Sequence, residues 1–517
     1  MLRRRLEQRD SDFLALAKRA IYDHRRSPYR ELLRSVGCEY GDLARLVRED
    51  GVDEVLRALC RRGVYLAVDE FKGRRPVRRG STVIDVQPHD LWNPLTRAHV
   101  VGQTTGSRGA RTTVPIDLAW IRDEAVNECL DADARGGRSW AHGRWMIPGG
   151  GNLVFMLLFS VAGTPPVRWF SPVDPNSRDL HPRYRWATSL LRWGGRLAGV
   201  PLPLPEHVPF EDPTPILRWF GDARRSGASP YLVAYTSSII RVCRAAREAG
   251  VDLSGVRALA TGEPLTATRL ATIRATGLSA TPIYASVDTG IIGKGCLAPS
   301  ASDEVHLFQD LLAAIQPPLD TERSGLSAHA LLVSSLRDTT PLVLLNVSLG
   351  DQGIVSERRC GCPLERLGWT THLSTIRSFE KLTAGGMTFL DSDLVHVIEE
   401  VLPARFGGTG ADYQLVESER VGGFPALRLL VHPRVGLVPP ESVVEAFLSA
   451  IGNGSDTRRI MGMMWRDARL LAVERRAPLM TPSGKILHLH VEGGTAAGAP
   501  GGPDRLPTAG QGARGSS

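Results

Sequence analysis

The chain has 517 residues, a formal net charge of +8 and seven cysteines. With 42% hydrophobic and 23% charged residues, its composition is that of an ordinary globular protein and excludes wholesale disorder. The length exceeds what one hydrophobic core usually supports, so more than one domain is expected. A sparse, odd number of cysteines argues against a disulfide-stapled secreted scaffold and favours the reducing cytoplasm as the location.

Membrane-spanning and nucleic-acid-binding classes are not supported by the sequence. The longest apolar run, Leu153 to Gly163, is shorter than the roughly eighteen residues that a spanning helix needs. The arginines at positions 3–5 are followed by charged residues and not by the apolar core of a signal peptide. No zinc-finger, RNP-type or long basic pattern occurs, and small anionic ligands would use the positive charge equally well.

In chain order, the first sixty residues predict helices, with Phe13, Leu16 and Ala20 at helical spacing. From Thr82 to about Arg359, short β-branched runs alternate with helical ones, as in Tyr231–Tyr235 followed by a helical stretch. This alternation predicts an α/β domain with buried strands.

After Arg377 the pattern changes to that of a small α+β domain. A capped helix is predicted from Ser392, strands over 413–417 and 426–431, and a second helix around 442–451. Beyond Glu492 the chain consists mostly of Gly, Ala, Pro and Ser, which predicts a disordered tail over residues 493–517.

The first segment that could carry chemistry is rich in glycine and hydroxyl residues and reads Thr104-Thr105-Gly106-Ser107-Arg108-Gly109-Ala110-Arg111-Thr112. Backbone N–H groups of such a loop can converge on phosphate oxygens. It is not a Walker loop, because no Gly-Lys-Ser/Thr closes it. Taken alone, an ordinary surface loop is the simpler interpretation.

Four further segments place a polar side chain in a glycine-containing turn: Gly262-Glu263-Pro264-Leu265-Thr266, Tyr284-Ala285-Ser286-Val287-Asp288-Thr289-Gly290, Leu349-Gly350-Asp351, and Pro482-Ser483-Gly484-Lys485. An aromatic ring with an acid four residues on can stack a base and hold a divalent cation. The carboxylate of Asp351 can accept both hydroxyls of a ribose. Each segment taken alone is also explained by an ordinary turn.

The order and spacing of these segments resemble the adenylate-forming ligase superfamily, and within it the phenylacetate–CoA ligase-like branch. The family's phosphate loop reads Ser/Thr-Ser-Gly-Thr-Thr-Gly-Lys-Pro-Thr. Its later motifs read Gly-Glu-Pro-Leu-Thr, Tyr-Gly-Ser-Thr-Glu-x-Gly, Thr-Gly-Asp, Gly-Arg-Ser-Asp-Asp and a terminal Ser-Gly-Lys. Arg377-Ser378 is similar to the fifth of these, and the resemblance spans about residues 27 to 490.

The resemblance implies an α/β fold with a large multi-sheet N-terminal adenylate-forming domain, residues 1–378, and a small mobile α+β C-terminal domain, residues 379–492. It implies ATP and Mg²⁺ as cofactors and CoA as a co-substrate. The implied nucleotide contacts are Thr104, Thr105, Gly106, Ser107, Arg108, Gly109, Gly262, Glu263, Pro264, Tyr284 on adenine, and Asp351 with Arg377 on the ribose. The implied catalytic residues are Asp288, which would reach magnesium, and Lys485, which would neutralise the α-phosphate and the substrate carboxylate.

Several positions depart from the family pattern. Asp288 stands in place of a glutamate, Val287 in place of a threonine, and Phe379 in place of the hinge aspartate. The phosphate loop lacks its Lys-Pro pair, for which Arg108 and Arg111 could substitute. These departures are consistent with an unusual substrate and acceptor or with a partly degenerate enzyme.

The acyl pocket and a metal site are two further expectations. The segment Gly149–Phe155 begins a candidate substrate-lining helix, with Trp145, Phe155 and Met156 as candidate walls, although ordinary core packing explains these residues as well. The second set, Cys296, His306, Cys360 and Cys362, has the composition of a closed tetrahedral zinc site. The branch carries a similar Cys…His…Cys-x-Cys set, which implies a structural Zn²⁺; three inert thiols and a surface imidazole are the alternative.

The sequence therefore predicts a cytoplasmic, ATP-dependent ligase that activates a small carboxylic acid, aromatic or compact and apolar, as an acyl-AMP. CoA or a carrier protein is the expected acceptor partner, with no nucleic acid and no membrane span, and the oligomeric state is left open. Two alternatives remain: an adenylating enzyme with an amine or other nucleophile as acceptor, and a non-catalytic nucleotide-binding homologue.

Overall fold

The computed structural model describes residues 1–491 except 104–112, 148–149, 176–181, 198, 318–325, 327–328, 379–380, 385–386, 391–393, 395, 420–424, 453–462, 464, 467–468 and 480–488. The candidate phosphate loop, Phe379, Lys485 and the predicted tail therefore lie outside the described residues. Among the described residues, no helix has both the length and the apolarity needed to cross a membrane.

The α-helices of the described chain are α1 Leu2–Glu7, α2 Arg9–Leu16, α3 Pro28–Ser35, α4 Tyr40–Asp50, α5 Val52–Arg61, α6 Val68–Phe71, α7 Leu118–Ala134, α8 Gly150–Val161, α9 Pro182–Leu197, α10 Thr214–Arg225, α11 Thr236–Glu248, α12 Ala267–Arg274, α13 Pro363–Arg366, α14 Leu402–Phe406 and α15 Pro440–Gly452. Wider π-type turns occur at Ala17–Tyr22 and Val397–Val401, and short 3₁₀ turns at Pro88–Leu91, Gly410–Asp412 and Pro433–Val435.

The strands are β1 Val77–Arg79, β2 Thr82–Ile84, β3 Val100–Gln103, β4 Thr113–Ile116, β5 Trp140–Trp145, β6 Arg168–Ser171, β7 Pro205–His207, β8 Ser229–Tyr235, β9 Arg257–Thr261, β10 Ser279–Ser286, β11 Gly290–Gly295, β12 Val305–Leu307, β13 Leu312–Ile315, β14 Ala330–Ser335, β15 Val347–Glu357, β16 Thr371–Ser378, β17 Lys381–Ala384, β18 Met387–Leu390, β19 Tyr413–Glu419, β20 Pro425–Val431, β21 Leu471–Arg475 and β22 Leu489–Val491.

Twelve of the described strands form one mixed sheet in the order β13-β14-β15-β16-β12-β11-β10-β9-β8-β5-β6-β7. The strands from β10 to β7 in that order are parallel to their neighbours, whereas those from β13 to β11 are antiparallel. The parallel half is built from strand–helix–strand crossovers such as β8–α11–β9–α12–β10. The predicted alternation of buried strands and helices is thus confirmed.

Local sequence explains where these helices begin. The side chain of Asp117 accepts a hydrogen bond from the Ala119 N–H at the start of α7, and that of Thr266 accepts one from Arg269 N–H at the start of α12. Both satisfy backbone donors that the first helical turn leaves unpaired. Pro28 occupies the first turn of α3, where its fixed φ and missing N–H favour the start of a helix.

A second, four-stranded sheet, in the order β21-β20-β19-β22, forms from residues 413–491. Helix α15 packs against it through Val443, Phe447 and Ile451, which are buried. The predicted strands near 413–417 and 426–431 and the helix near 442–451 are confirmed as β19, β20 and α15. The assignment of residues 379–492 as a separate mobile domain remains a prediction.

Candidate active site

The parallel strands β8, β9 and β10 bring two of the predicted motifs to one edge of the main sheet. In parallel α/β sheets, ligands bind in the crevice at the carboxyl ends of the strands. The turn at Gly262 follows the end of β9, and the turn containing Asp288 follows the end of β10, with the two strands paired in register. The structure therefore places both motifs where this class of fold binds its ligands.

The turn after β9 is held by its own side chains. Gly262 has a φ of +73°, a left-handed conformation that glycine adopts without strain. The Glu263 carboxylate is buried, 3.4 Å from the Arg269 guanidinium, and the Glu263 carbonyl accepts a 3.0 Å hydrogen bond from the Thr236 hydroxyl. The Pro264 carbonyl accepts another from Arg269. The turn is thus fixed from inside, with the Glu263 side chain directed into the protein.

Tyr284 and Asp351 meet although 67 positions separate them in the sequence. The Tyr284 hydroxyl donates a 2.9 Å hydrogen bond to Asp351 Oδ2. Burial, followed by the charge of Asp351, raises the pKa of Tyr284 well above its ordinary value, so the phenol stays protonated and remains the donor. The structure thus brings the predicted adenine-stacking ring and the predicted ribose-binding carboxylate into direct contact.

Asp288 lies in a tight turn with a buried carboxylate. The Ser286 hydroxyl accepts hydrogen bonds from the N–H groups of Asp288 and Thr289, which fixes the turn after β10. Asp288 Oδ2 lies 3.1 Å from the ammonium of Lys72, and Oδ1 is buried without a hydrogen-bond partner. A buried carboxylate oxygen with no partner is free to serve as a ligand for Mg²⁺, which prefers oxygen donors. Asp288 Oδ1 is therefore one oxygen donor available to a magnesium ion at this point.

Val287, which replaces the family threonine, packs against backbone. A Cβ atom built on Gly102 would lie 3.3 Å from Cγ1 of Val287, and one built on Gly151 would lie 3.9 Å from Cγ2. The apolar side chain therefore fills the space between two glycines, and one of these lies two residues before the candidate phosphate loop. A threonine would fill the same space, so nothing in the structure explains the valine.

Arg377, which the resemblance places with Asp351 at the ribose, pairs with a different carboxylate in the structure. Arg377 Nη1 donates a 2.5 Å hydrogen bond to Asp303 Oδ2. In the pairing of β15 with β16, Arg377 lies opposite Gln352, next to Asp351. A direct role of Arg377 at the ribose stays a prediction, and its observed contact is structural.

The described residues that flank the candidate phosphate loop and the segment containing Lys485 are hydrogen-bonded to sheet strands. Gln103 pairs with Thr113 at the ends of β3 and β4, on either side of residues 104–112. Gln414, fully buried in β19, exchanges two hydrogen bonds with the backbone of Leu479, and Leu489 pairs with Leu415 of the same strand. The residues on both sides of 480–488 thus contact neighbouring positions of β19.

A small apolar cavity of about 20 Å³ lies between α7, α8 and the β10–β11 turn. Phe155, one of the three predicted walls, lines it together with Trp120, Val154 and Val287. The cavity contains one acid, Glu124, whose Oε2 accepts a hydrogen bond from the Ile291 N–H. Burial raises the pKa of Glu124 well above its ordinary value, because the charged form of the carboxyl is poorly solvated there.

The other two predicted walls lie elsewhere. Trp145 packs against Phe210 on the opposite face of the sheet, because alternate residues of β5 point to opposite faces. Met156 is fully buried against Trp169 and Leu202. Both are core residues, in agreement with the alternative that ordinary core packing explains them.

The predicted metal ligands form a cluster. One ligand atom from each of Cys296, His306, Cys360 and Cys362 lies within 4.8 Å of the others. His306 Nε2 lies 3.2 Å from Cys362 Sγ and 3.6 Å from Cys360 Sγ. Tetrahedral zinc with ordinary Zn–S and Zn–N bond lengths separates sulfur and nitrogen ligands by about 3.6 Å. The donor set and its spacing therefore fit Zn²⁺.

The surroundings of His306 prepare Nε2 as a ligand. Its Nδ1 lies 2.7 Å from the Trp369 carbonyl oxygen, to which it donates, and this leaves Nε2 directed at the thiols. Burial, followed by the proximity of His372, lowers the pKa of His306 to about 4, so the imidazole is neutral. The Trp369 indole in turn donates to Asp310, which fixes the segment that carries the carbonyl.

Comparison with known proteins assigns the fold. The chain matches no protein-family model, and no curated protein matches its sequence. The structure of 2-hydroxyisobutyryl-CoA ligase in complex with 2-HIB-AMP and CoA superposes with a TM-score of 0.56 at 13% identity, covering 94% of this chain and 90% of that one. The chain has the fold of the adenylate-forming enzymes. Amide bond synthetase McbA from Marinactinospora thermotolerans is also similar, with a TM-score of 0.39 at 14% identity over 89% of this chain and 91% of that one.

One residue of this adenylate-forming fold is placed at the site without any motif to signal it. Lys72 follows α6, 216 positions before Asp288, and no glycine-rich or paired pattern surrounds it. Its ammonium also lies 4.4 Å from the centre of the Phe71 ring. Only the packing of α6 against β15 brings this side chain to the carboxyl edge of the sheet.

Proposed function

We propose that the protein is an AMP-forming ligase of the phenylacetate–CoA ligase-like branch, which activates a small carboxylic acid and transfers the acyl group to a thiol such as CoA. The observation that carries the proposal is the hydrogen bond between Tyr284 and Asp351, beside the turn that holds Asp288. The ring proposed to bind the base is thus in contact with the carboxylate proposed to bind the diol, and it lies four residues before the carboxylate proposed to bind the metal.

Nucleotide binding follows from these three side chains. The adenine stacks on the ring of Tyr284, and the ribose hydroxyls donate to the Asp351 carboxylate, whose paired oxygens match a vicinal diol. The Tyr284 hydroxyl donates to Oδ2 and so fixes the orientation of the carboxylate. Because both groups are positioned before ATP arrives, little rotamer freedom is lost on binding.

Phosphate binding uses the loop over residues 104–112 together with Asp288 and Lys72. Asp288 would hold Mg²⁺ through Oδ1, and the bound ion supplies neutralisation of phosphate charge. Lys72 provides a fixed positive charge 3.1 Å from the same carboxylate, in a chain whose phosphate loop lacks the family lysine. We assign to Lys72 part of the role of that missing residue.

The first half-reaction is an in-line displacement. An oxygen of the substrate carboxylate attacks the α-phosphorus, the bond from that phosphorus to the bridging oxygen breaks, and pyrophosphate leaves. Lys485 neutralises the charge that develops on the α-phosphate. In the second half-reaction the thiolate sulfur attacks the acyl carbon and AMP leaves with the electron pair of the broken bond.

The substrate is proposed to be compact and apolar. The cavity beside α8 has apolar walls, and its one acid, Glu124, has a raised pKa and already accepts a backbone hydrogen bond. A volume of about 20 Å³ holds little more than one water molecule, so the choice of an aryl or short branched acyl group rests on the resemblance to the phenylacetate–CoA ligase-like branch and not on this cavity.

The cysteine–histidine cluster is proposed as a closed structural zinc site. Four protein ligands leave no open position for catalysis. The site would connect the strand that follows the Asp288 turn, through Cys296, to the segment beyond β15, through Cys360 and Cys362. Bound zinc would therefore fix the two elements that carry Asp288 and Asp351.

The test is acid-dependent exchange of radiolabelled pyrophosphate into ATP, run with aromatic, short branched, fatty and amino acids. We expect exchange with aromatic or short branched acids, and loss of at least tenfold in apparent ATP affinity for Asp351→Asn, with Asp338→Asn as an exposed control. Absence of exchange with every acid would favour the non-catalytic homologue. A thioester assay with CoA, beside an amide assay with simple amines, then distinguishes the two acceptor classes.

A further inference from the structure

Helix α9 presents large apolar side chains to solvent along a single stripe. Trp186 is 77% exposed, Trp193 66% and Leu197 72%. At 100° per residue these three positions fall within roughly 40° of one another over about 16 Å of helix. We call the stripe formed by Trp186, Trp193 and Leu197 the α9 face. Large apolar residues at such exposure carry a free-energy cost in water that ordinary surface residues avoid.

The opposite side of the helix is the one that packs on the protein. Thr188 is buried, Arg192 donates from Nε to the Leu202 carbonyl at 3.2 Å, and a Cβ atom on Gly195 would lie 2.6 Å from the Val200 carbonyl oxygen. At 100° per residue, Thr188 and Gly195 lie roughly 160–180° from the centre of the α9 face and Arg192 about 120° from it. One side of α9 therefore packs on the protein, and the apolar stripe lies on the side that faces solvent.

Two further apolar side chains are exposed before neighbouring strands of the main sheet. Val167, 55% exposed, precedes β6, and Leu204, 64% exposed, precedes β7, the last strand of the twelve-stranded order, which pairs in parallel with β6. The α9 face itself, with two indoles and one leucine, presents on the order of 300 Å² of apolar surface, which is within the size range of functional patches.

We propose that the α9 face is a docking surface for an anionic lipid bilayer, bound in the plane of the interface. Helix α9 contains four arginines and no acidic residue. A basic helix with tryptophan and leucine on one face is typical of segments that lie in the headgroup region, where indole rings are favoured and arginine meets lipid phosphate.

Charge decides against a second copy of this chain as the occupant. A two-fold contact would bring α9 of each copy together and so place eight arginines near one another without an acidic partner on either helix. The shape argues against an extended peptide, because the face is the outer surface of a single helix and not a groove. A bilayer satisfies both constraints, since it is flat and carries the opposite charge.

The test is flotation of the full chain with vesicles of phosphatidylcholine alone and of phosphatidylcholine containing one third phosphatidylglycerol. We expect binding to the anionic vesicles only, weakened by added salt. The double variant Trp186→Ser/Trp193→Ser should lower the bound-to-free ratio at least tenfold, and Arg196→Glu severalfold. Matched controls are Val83→Ser/Leu437→Ser, which removes two exposed apolar residues elsewhere, and Arg26→Glu, which reverses an exposed arginine outside α9.

Tryptophan fluorescence of the native protein gives a second readout, and it does not depend on whether a variant folds. Insertion of exposed indoles into the interface shifts their emission to shorter wavelength on adding anionic vesicles. No flotation, no shift, or equal flotation of the double tryptophan variant would overturn the proposal. A dimer in analytical ultracentrifugation that this variant dissociates would also overturn it and reassign the face to a second copy. These outcomes are independent of ATP–pyrophosphate exchange.

Discussion

Lys72 and Asp288 form an ion pair in which the ammonium and Oδ2 are 3.1 Å apart and both side chains are largely shielded from solvent. A charge in such a position interacts more strongly with phosphate than an exposed lysine does, because water screens it less. The pair therefore has two consequences. It holds Asp288 in place in the free protein, and it places a cation beside the polyphosphate once ATP is bound.

Replacing Lys72 tests this role. We expect Lys72→Gln to raise the KM for ATP about ten- to hundredfold, which corresponds to about 1.5–3 kcal/mol for a lost charge-assisted contact. Lys72→Arg should recover most of the affinity because it keeps the charge. Steady-state kinetics at varied ATP measure both variants.

Lys18→Gln is the matched control, since it removes an exposed lysine on the N-terminal helices. A purely structural role for Lys72 would lower thermal stability without changing the KM for ATP in the protein that remains folded. An unchanged KM in Lys72→Gln would remove the residue from the phosphate site.

Glu124 predicts a pH dependence of stability. Its pKa in the folded chain is raised above the ordinary 4.5, so the folded state keeps a proton that the unfolded state releases as pH rises. The contribution of this carboxyl to stability is thus fully present below about pH 4.5 and is lost as pH increases toward the folded-state pKa. Glu124→Gln is neutral at every pH and nearly isosteric, so its stability should not decrease with pH for this reason.

Denaturant unfolding at pH 5 and pH 8 measures the effect. The quantity of interest is the free energy of unfolding of Glu124→Gln minus that of the native chain. We expect this difference to be larger at pH 8 than at pH 5 by about 1 kcal/mol or more. One proton can change it by at most about 1.4 kcal/mol per pH unit. Glu49→Gln, at an exposed helix position, should show no such difference. A pH-independent difference for Glu124→Gln would mean that the carboxyl is ionised in the folded protein.

At the scale of elements, the cysteine–histidine cluster links segments that the sequence separates widely. His306 lies on β12, Cys296 follows β11, and Cys360 and Cys362 lie between β15 and β16. Strand β12 pairs with both β11 and β16, so sheet formation alone brings the ligands together. A metal bound there would add a cross-link to this part of the sheet.

Loss of one ligand should therefore affect both metal content and stability. We expect elemental analysis to find one zinc per native chain and less than one tenth of that in Cys362→Ser. If the site is saturated a thousandfold above its Kd, the variant loses about 4 kcal/mol of unfolding free energy. Cys129→Ser, at a half-buried thiol outside the cluster, should retain the zinc. A native protein free of zinc, with full stability in Cys362→Ser, would exclude the site.

Elements that depend on local pattern could be predicted from the sequence, and contacts between distant elements could not. The turn glycines, the strand ends at Gly262 and Asp288 and the pairing of cysteines with His306 follow from spacing and composition. Lys72 is different, because no local pattern relates it to Asp288. Lys294 is a similar case: it lies in the buried strand β11 and is paired 2.8 Å from Glu128 on α7, a contact set only by helix packing.

At the scale of the molecule, the two sheets divide the proposed chemistry between them. The main sheet carries Tyr284, Asp288 and Asp351, whereas the described residues that flank the segment containing Lys485 both contact β19 of the small sheet. Under the proposed function, Lys485 acts from the small domain and neutralises the α-phosphate when that domain lies over the nucleotide site. A rearrangement of the two would then expose the acyl adenylate to the thiol.

This division predicts that Lys485→Ala separates the two half-reactions. Formation of the acyl adenylate, measured by pyrophosphate exchange, should fall about a hundred- to a thousandfold, because a charge that stabilises the transition state is lost. Conversion of a supplied acyl adenylate and CoA to the thioester should stay within about twofold of the native rate, since the lysine has no part in that step. Arg476→Ala, an exposed cation just before the same loop, should leave both rates unchanged. Equal losses in both half-reactions would instead mean that Lys485 supports the structure or the binding of AMP. In that case Lys485 would not act in the first half-reaction alone.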